Sequence, residues 1–183
     1  MVADPVPDVR SQPIVEPGTG VRWLDEEERE AWLSLVRVMA RLPPLLDAQL
    51  ARDADLTLFE YTILAMLSEQ PDRALRMSRL AAVTNASPSR LSHAARQLEA
   101  RGCLVREVDP DDGRCIRACL TDDGYETIVQ AAPAHVTAVR DLVVDQLTAR
   151  QLRSLREVNT QLLRRLDPEG SSHPGFPTPV TST

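Results

Sequence analysis

Residues 87–102 read SPSRLSHAARQLEARG and predict a short helix with defined ends. Ser87 is a favourable N-cap, Pro88 suits the first helical position, and Gly102 provides the left-handed stop. At roughly 100° per residue, one stripe of this helix is apolar and contains Leu91, Ala94, Ala95 and Leu98. The other side is small, polar or cationic, with no acidic residue before Glu99. This composition suits either an ordinary amphipathic surface helix or a helix that enters the groove of a polyanion.

The segments on either side of this helix favour the second interpretation. A helix predicted from about Met77 to Thr84 precedes it, separated by a tight turn at 85–88. Two short helices joined by such a turn form a helix-turn-helix, whose second helix reads the groove. After Gly102, strands are predicted at 103–108 and 114–120 with the turn DPDDG between them. A hairpin at this place is a wing.

The charge distribution also favours a nucleic-acid interface. The chain has 183 residues and a net charge of −6, and all 21 of its basic residues are arginines. Within residues 73–120, nine arginines oppose five acidic residues, so this segment carries +4 and the remainder −10. A basic centre in an acidic protein is typical of a selective DNA-binding protein.

Long helices are predicted before the winged unit. One begins at Asp25 and carries apolar residues at helical spacing as far as Leu50, with a bend or a break at Pro43–Pro44. Trp32 lies on its apolar side and is interpreted as a core or interface anchor. A second helix is predicted from Leu58 to Glu69, with Thr57 as the N-cap in a capping box with Glu60.

Two further helices are predicted after the wing. The first follows a cap at Thr121 and extends to about Leu147 with a kink at Pro133; the second follows Thr148 and ends at Leu166. Both are apolar on one side and too distant in sequence to be needed for the core of the winged unit. A second copy of the same chain is their natural partner.

The predicted fold class is mainly α with a small β-hairpin wing: a winged helix-turn-helix DNA-binding domain flanked by N- and C-terminal dimerisation helices. The predicted organisation consists of a disordered tail at 1–22, a dimerisation helix at 23–55, the DNA-binding domain at 56–121, dimerisation helices at 122–166 and a disordered tail at 167–183.

Several other classes of protein are disfavoured. No apolar run approaches the roughly 20 residues of a membrane span, so a cytoplasmic protein is expected. The three cysteines form neither a disulfide framework nor a zinc-binding pattern. The histidines lack partner motifs and there is no glycine-rich phosphate loop, so neither an enzyme, a cofactor nor a metal is predicted.

Four motifs lie in register within residues 23–166: LTLFE at 56–60, LRMSRLA at 75–81, SRLSH at 89–93, and the wing pattern D-x-R-x5-L-T, met by Asp112, Arg114, Leu120 and Thr121. Together they resemble the MarR family of bacterial transcription regulators over residues 23–166. Arg96 and Gln97 depart from the family pattern, in which many members carry an acid followed by a base.

The resemblance implies a homodimer with interleaved terminal helices that reads a pseudo-palindromic operator, usually as a repressor associated with the nucleoid. The recognition helix would contact the major groove, and Arg114 the minor groove. Many members release DNA when a small phenolic or aromatic effector binds between the dimerisation and DNA-binding parts. By family position, such a pocket is expected near Trp32, Tyr61 and the start of the recognition helix.

The predicted partner is therefore double-stranded DNA, and the residues predicted to contact it are Ser87, Ser89, Arg90, Ser92, His93, Arg96 and Arg114. Among the wing acids Asp109, Asp111 and Asp112, at least one, with Asp112 preferred, is expected to orient an arginine rather than face the duplex. Arg117 is expected to meet a phosphate or an acidic partner.

Two alternatives stay open at this stage. Cys115 and Cys119 share one face of the second wing strand, so a redox-responsive regulator could act through their oxidation, which would disturb the wing. The simpler interpretation is that all three cysteines, including Cys103, are small apolar residues that fill space. A winged helix that binds proteins without a DNA function is the other alternative, because a fold alone does not fix a function. The basic centre argues against it.

Overall fold

The computed structural model describes residues 20–167 of the chain. Its elements are, in order, α1 (Glu26–Ala54), α2 (Leu58–Ser68), β1 (Ala74–Arg76), α3 (Met77–Val83), α4 (Pro88–Ala100), β2 (Leu104–Val108), β3 (Ile116–Leu120), α5 (Asp122–Leu142), a 3-10 turn (Val144–Gln146) and α6 (Ala149–Leu166). The chain divides into two units between Val38 and Met39, within α1. The predicted tails lie outside the described residues, except for 20–22 and 167.

Helix α1 is continuous, so of the predicted bend or break at its two prolines the break is wrong. Asp25 caps it, because the Asp25 carboxylate accepts a hydrogen bond from the Glu28 N–H at 2.9 Å and the Glu28 carboxylate accepts one from the Asp25 N–H at 3.0 Å. Helical structure continues through Pro43 and Pro44. The prolines remove two donors, but burial of Leu46 and Leu50 directly afterwards holds the following turns in place.

Helix α2 forms the centre of the core, and its predicted cap is confirmed. The Thr57 hydroxyl accepts from the Glu60 N–H at 3.1 Å, and the Glu60 carboxylate accepts from the Thr57 N–H at 2.9 Å. Ile63, Leu64 and Leu67 are completely buried. The core cluster joins this helix to side chains of α3, α4, the wing strands and α5. The prediction that the helices after the wing are not needed for this core is therefore wrong for α5.

Helices α3 and α4 form the predicted helix-turn-helix. In the turn between them, Asn85 adopts a φ of 47°, a left-handed conformation that asparagine tolerates better than most residues. The Ala86 N–H then donates to the Ala81 carbonyl at 2.9 Å, which closes the turn.

The predicted hairpin is confirmed, but it belongs to a larger sheet. Strands β2 and β3 pair antiparallel from Leu104 opposite Leu120 to Val108 opposite Ile116. Strand β1, which the sequence analysis missed, pairs with the other edge of β3, so the strand order is β1-β3-β2. Strand β3 also begins at Ile116, two residues after the predicted start.

Two glycines lie where the wing meets its neighbouring helices, α4 and α5. Gly102 ends α4 with a φ of 73°, as the sequence predicts. Gly124 lies in the first turn of α5, where a Cβ would overlap the Cys103 carbonyl. Because glycine has no side chain, α5 starts in direct contact with the base of the hairpin.

Helix α5 is shorter than predicted. It passes Pro133 but ends at Leu142, five residues before the predicted end. Val143 leaves the helical region with a φ of −134°, and a 3-10 turn then brings Thr148 into the extended conformation that an N-cap needs. The Thr148 hydroxyl accepts from the Gln151 N–H at 3.3 Å, which confirms the predicted cap of α6.

The terminal helices expose apolar side chains. No residue of α6 is buried, and Leu155, Val158, Leu162, Leu163 and Leu166 are between 41% and 76% exposed. Trp32 in α1 is 52% exposed, so the interpretation of this residue as a core anchor is wrong and only the interface interpretation stays a prediction. In residues 20–167, none of the helices has the length and apolar content needed to cross a membrane.

Candidate nucleic-acid interface

The ends and the buried stripe of α4 fix which of its sides meets solvent. The Ser87 hydroxyl accepts from the Arg90 N–H at 3.3 Å, and Pro88 occupies the first turn. The predicted apolar stripe is buried, with Leu91, Ala94, Ala95 and Leu98 all at most 6% exposed. Because this stripe is held in the core, the opposite side of the helix faces outward.

The structure brings six of the seven predicted contact residues together on that outward side. Five are exposed and Ser92 is half-buried; the exposed ones are Ser87, Ser89, Arg90, His93 and Arg96. The first acidic residue of α4, Glu99, forms an ion pair with Arg106 at 2.6 Å. The surface therefore presents hydroxyl, imidazole and guanidinium groups without an uncompensated carboxylate on the same helix.

Arg90 lies at the boundary between this surface and the protein interior. Its guanidinium carbon is 4.1 Å from the centroid of the Phe59 ring at the start of α2, which is a cation–π contact. The contact limits the rotamers of a long side chain while the group stays exposed. Arg90 is thus preorganised for a planar, bidentate contact with phosphate or guanine.

The seventh predicted residue, Arg114, projects from the wing turn. It is exposed, its backbone N–H donates to the Asp112 carboxylate at 3.1 Å, and its guanidinium makes no hydrogen bond or ion pair within residues 20–167. A guanidinium held at a hairpin tip and left unpaired is available for an external anion or for a narrow minor groove.

Other arginines near the wing are already paired with acids. Arg117 donates to the Glu107 carboxylate at 2.8 Å and lies 3.7 Å from Asp72, so the expected acidic partner of Arg117 is confirmed. Arg76 contacts Asp109 in a bidentate ion pair at 2.7 Å and 3.2 Å. These guanidinium groups lower the pKa of both Glu107 and Asp109 from the ordinary carboxyl values.

The acid that orients an arginine side chain is Asp109, not Asp112. Asp109 is 7% exposed and binds the Arg76 guanidinium, whereas Asp112 accepts from the backbone N–H of Arg114 and from the Cys115 thiol. The expectation that at least one wing acid orients an arginine is therefore confirmed, but its preferred identity is wrong. Asp112 instead caps the wing turn, because its carboxylate accepts from the backbone N–H two residues further along the chain.

The cysteines do not have the environment of redox sensors. A hydrogen bond to Asp112 and burial raise the pKa of the Cys115 thiol, and burial followed by the Glu107 hydrogen bond raises the pKa of Cys119 to about 11. Reactive cysteines need a lowered pKa. Cys103 is buried. Within the described part of the chain, no group of three or more His, Cys, Asp or Glu side chains is arranged to hold a metal ion.

A cleft of about 810 Å³ lies beside the recognition helix. Its walls come from the second half of α1, the start of α2 and one flank of the exposed side of α4, and they include Pro43, Leu58, Phe59, Thr62, Arg90, His93 and Gln97. The predicted position near the start of α4 therefore agrees with this cleft. Tyr61 is not a lining residue, because it is 2% exposed and packs in the core, its ring centroid 4.4 Å from that of His135.

Sequence reasoning missed two features of this region. The aromatic wall of the cleft is Phe59, two positions before Tyr61. Helical phase gives no signal for this, because Phe59 lies four positions before the completely buried Ile63 and so shares its side of the helix. The pair between Arg76 and Asp109 joins residues 33 positions apart and had no local signal.

Comparisons with known proteins agree with this geometry. A sequence profile described as MarR family matches residues 54–114. Sco3205 of Streptomyces coelicolor, a MarR family transcriptional regulator crystallised in complex with DNA, is 42% identical with a TM-score of 0.77, and the match covers 84% of this chain and 99% of Sco3205.

Two curated relatives are more distant. The uncharacterised HTH-type transcriptional regulator YkoM of Bacillus subtilis (strain 168) is 32% identical over 120 residues, which are 63% of this chain and 75% of YkoM. The transcriptional repressor MprA of Escherichia coli (strain K12) is 27% identical over 107 residues, which are 58% of this chain and 60% of MprA. These three relatives are named as transcriptional regulators, not as enzymes. The chain therefore belongs to the MarR family of DNA-binding transcriptional regulators.

Proposed function

We propose that the protein is a homodimeric repressor that binds a pseudo-palindromic operator and is released from it by a small aromatic ligand. The observation that carries the proposal is the exposed polar and cationic side of α4 together with the exposed guanidinium of Arg114, which has no partner within residues 20–167. In this proposal Ser87, Ser89, Arg90, Ser92, His93 and Arg96 contact the major groove and its phosphates, and Arg114 enters the minor groove.

The dimer is supported by the exposed apolar residues of α6. A helix whose Leu155 and Leu162 side chains are each 41% exposed leaves a continuous apolar stripe in water. A two-fold related copy would cover that stripe with the same stripe of its partner. The two α4 helices of such a dimer would then reach DNA about one helical turn apart, roughly 34–36 Å.

Repression and ligand release are the further parts of the proposal. Repression is supported by the similarity to MprA, whose name describes it as a repressor. Ligand release is supported by the cleft, because the Phe59 ring offers a stacking surface and Arg90 and His93 line the same space. No cofactor or metal is part of the proposal. Its site of action would be the nucleoid in the cytoplasm.

Selection of a DNA site tests the proposal. The purified protein is used to select duplexes from a random-sequence library, and the enriched sequence is titrated with the protein. We expect an inverted repeat bound by two protomers, and a scrambled duplex bound far more weakly. Enrichment of no sequence, or of a single half-site bound by one protomer, would contradict the proposal.

A panel of aromatic acids tests the ligand response on the same duplex. We expect at least one acid to raise the dissociation constant for DNA. Thr62→Leu, which narrows the cleft without touching the proposed DNA contacts, should keep DNA binding and lose this response. A response that survives in Thr62→Leu would place the ligand elsewhere.

A further inference from the structure

The ion pair between Arg76 and Asp109 contains the least exposed carboxylate among the ion pairs of residues 20–167. The Arg76 Nε donates to Asp109 Oδ2 at 2.7 Å, and Arg76 Nη2 donates to Asp109 Oδ1 at 3.2 Å. The Asp109 side chain is 8% exposed and that of Arg76 is 44% exposed. A bidentate guanidinium–carboxylate pair fixes orientation as well as distance.

This pair connects the two edge strands of the sheet, β1 and β2, next to the start of the helix-turn-helix. Arg76 is the last residue of β1 and directly precedes α3, and it lies opposite Arg117 on β3. Asp109 directly follows β2, on the other edge of β3. The guanidinium therefore spans the beginning of β3 and ties the wing turn to the start of α3.

The same carboxylate organises the backbone of the wing turn. Asp109 Oδ1 accepts from the N–H groups of Asp111 and Asp112, at 2.9 Å and 3.1 Å. The Asp109 N–H donates to the Cys115 carbonyl at 2.9 Å. Asp112, held in this way, accepts from the N–H of Arg114 at 3.1 Å. A continuous series of hydrogen bonds thus leads from Arg76 to the backbone of Arg114.

We propose that Asp109 is a positioning residue for DNA binding, which together with Arg76 holds the wing turn so that Arg114 reaches the minor groove. The inference rests on the proposed contact between Arg114 and DNA. Within residues 20–167 the Arg114 guanidinium has no side-chain partner, so its direction depends on the backbone that carries it.

Charge and positioning have opposite effects at Asp109, and this makes the inference testable. Removal of a negative charge close to DNA by itself strengthens binding, since it reduces repulsion of the phosphates. Loss of the hydrogen bonds that fix the turn weakens binding of the specific site, because Arg114 is no longer held in place. Asp111 is the matched control: it is an exposed neighbouring acid whose side chain makes no hydrogen bond in the described chain.

The first experiment compares Asp109→Asn with Asp111→Asn by fluorescence anisotropy. The probes are a duplex that the wild-type protein has selected from a random-sequence library and a scrambled duplex of equal length. We expect Asp109→Asn to weaken binding of the selected duplex by about tenfold, the scale of one lost DNA contact, and to leave the scrambled duplex unchanged or slightly tighter. Asp111→Asn should tighten both slightly. Tighter binding of the selected duplex by Asp109→Asn would overturn the inference.

A double-mutant cycle with Arg114→Ala tests whether Asp109 acts through Arg114. We expect the double variant to bind no more weakly than Arg114→Ala alone, because the residue to be positioned is already absent. Additive losses would overturn the inference. If Arg114→Ala itself leaves the affinity unchanged, the proposed wing contact is wrong and the inference falls with it. If Arg114→Ala weakens binding and Asp109→Asn does not, the role of Asp109 alone is wrong.

Hydroxyl-radical footprinting separates positioning from a general loss of stability. With Asp109→Asn we expect protection of the flanking minor grooves to disappear while the protection around the α4 contacts persists. Equal loss of both would indicate a merely structural role. Should Asp109→Asn not fold, Arg76→Gln breaks the same pair from the other side and enters the same cycle and footprint.

Discussion

Arginine side chains around α4 and the wing fall into two groups that sequence alone does not distinguish. Arg106 and Arg117 are paired with Glu99 and Glu107, whereas Arg96 and Arg114 make no ion pair within residues 20–167. Exposed ion pairs contribute little to stability, but they decide which guanidinium groups are free to meet an external anion. Arg96 and Arg114, the two arginines without an ion pair, are among the residues predicted to bind DNA.

Replacement of the two free arginines should give two different phenotypes. Arg96→Ala removes a predicted phosphate contact, so we expect weaker binding of all duplexes alike and a salt slope reduced by about one. Arg114→Ala should cost about 1–3 kcal/mol on the selected duplex and much less on a scrambled one. Anisotropy titrations over a range of salt concentrations measure both. Arg41→Ala, at an exposed position of α1, is the control; equal effects of all three variants would contradict the assignment.

His135 makes the stability of the fold depend on pH. It is completely buried between Gln49 of α1 and Tyr61 of α2, with its Nδ1 3.1 Å from Gln49 Oε1, and burial lowers its pKa from 6.5. The unfolded chain binds a proton there more readily than the folded chain. The free energy of unfolding should therefore fall as the pH drops below about 6.5, the ordinary value.

Urea unfolding above and below this pH tests the effect at a fixed protein concentration. In His135→Gln the free energy of unfolding should be lower at neutral pH but should change less between the two conditions. His93→Gln, which replaces an exposed histidine, should keep the wild-type pH dependence. A wild-type pH dependence in His135→Gln would show that another group is responsible.

Among the helices and strands, features that depend on neighbouring residues are predicted from sequence better than features that depend on long-range contacts. Helix caps at Thr57, Ser87 and Thr148 depend on residues within three positions and are confirmed. Strand β1 has three residues, too few for a periodic pattern, and it exists because β3 offers an edge to pair with. Helix α5 ends at Leu142, where Val143 leaves the helical region, and no glycine or proline marks this end in the sequence. The same holds for the candidate site. The exposed side of α4 can be predicted from helical phase, whereas the cleft and the Arg76–Asp109 pair can be seen only in the tertiary structure.

The capping box of α2 should contribute measurably to stability. In Thr57→Ala the Glu60 N–H loses its acceptor, and the expected loss is about 1 kcal/mol in the free energy of unfolding. The control is Thr137→Ala, an exposed threonine inside α5 whose hydroxyl donates to a helix carbonyl. Alanine is the better helix former there, so this variant should be neutral or slightly more stable. Equal losses in the two variants by urea unfolding would contradict the role of the cap.

On the scale of the whole molecule, the exposed apolar residues of α6 require a partner. Leu155→Arg combined with Leu162→Arg places two charges on the proposed interface, and we expect light scattering to report a monomer where the wild type is a dimer. Arg153→Glu, on the polar side of the same helix, should leave the dimer intact. A monomeric wild type, or a dimer that tolerates both arginines, would contradict the proposed assembly.

In the proposed complex, two copies of α4 and two wings bind one duplex together. Hydroxyl-radical footprinting of the selected duplex checks this arrangement. We expect a two-fold symmetric footprint whose centres lie about one helical turn apart, flanked by minor-groove protection that disappears in Arg114→Ala. An asymmetric footprint of a single half-site, or flanks unchanged in Arg114→Ala, would contradict it.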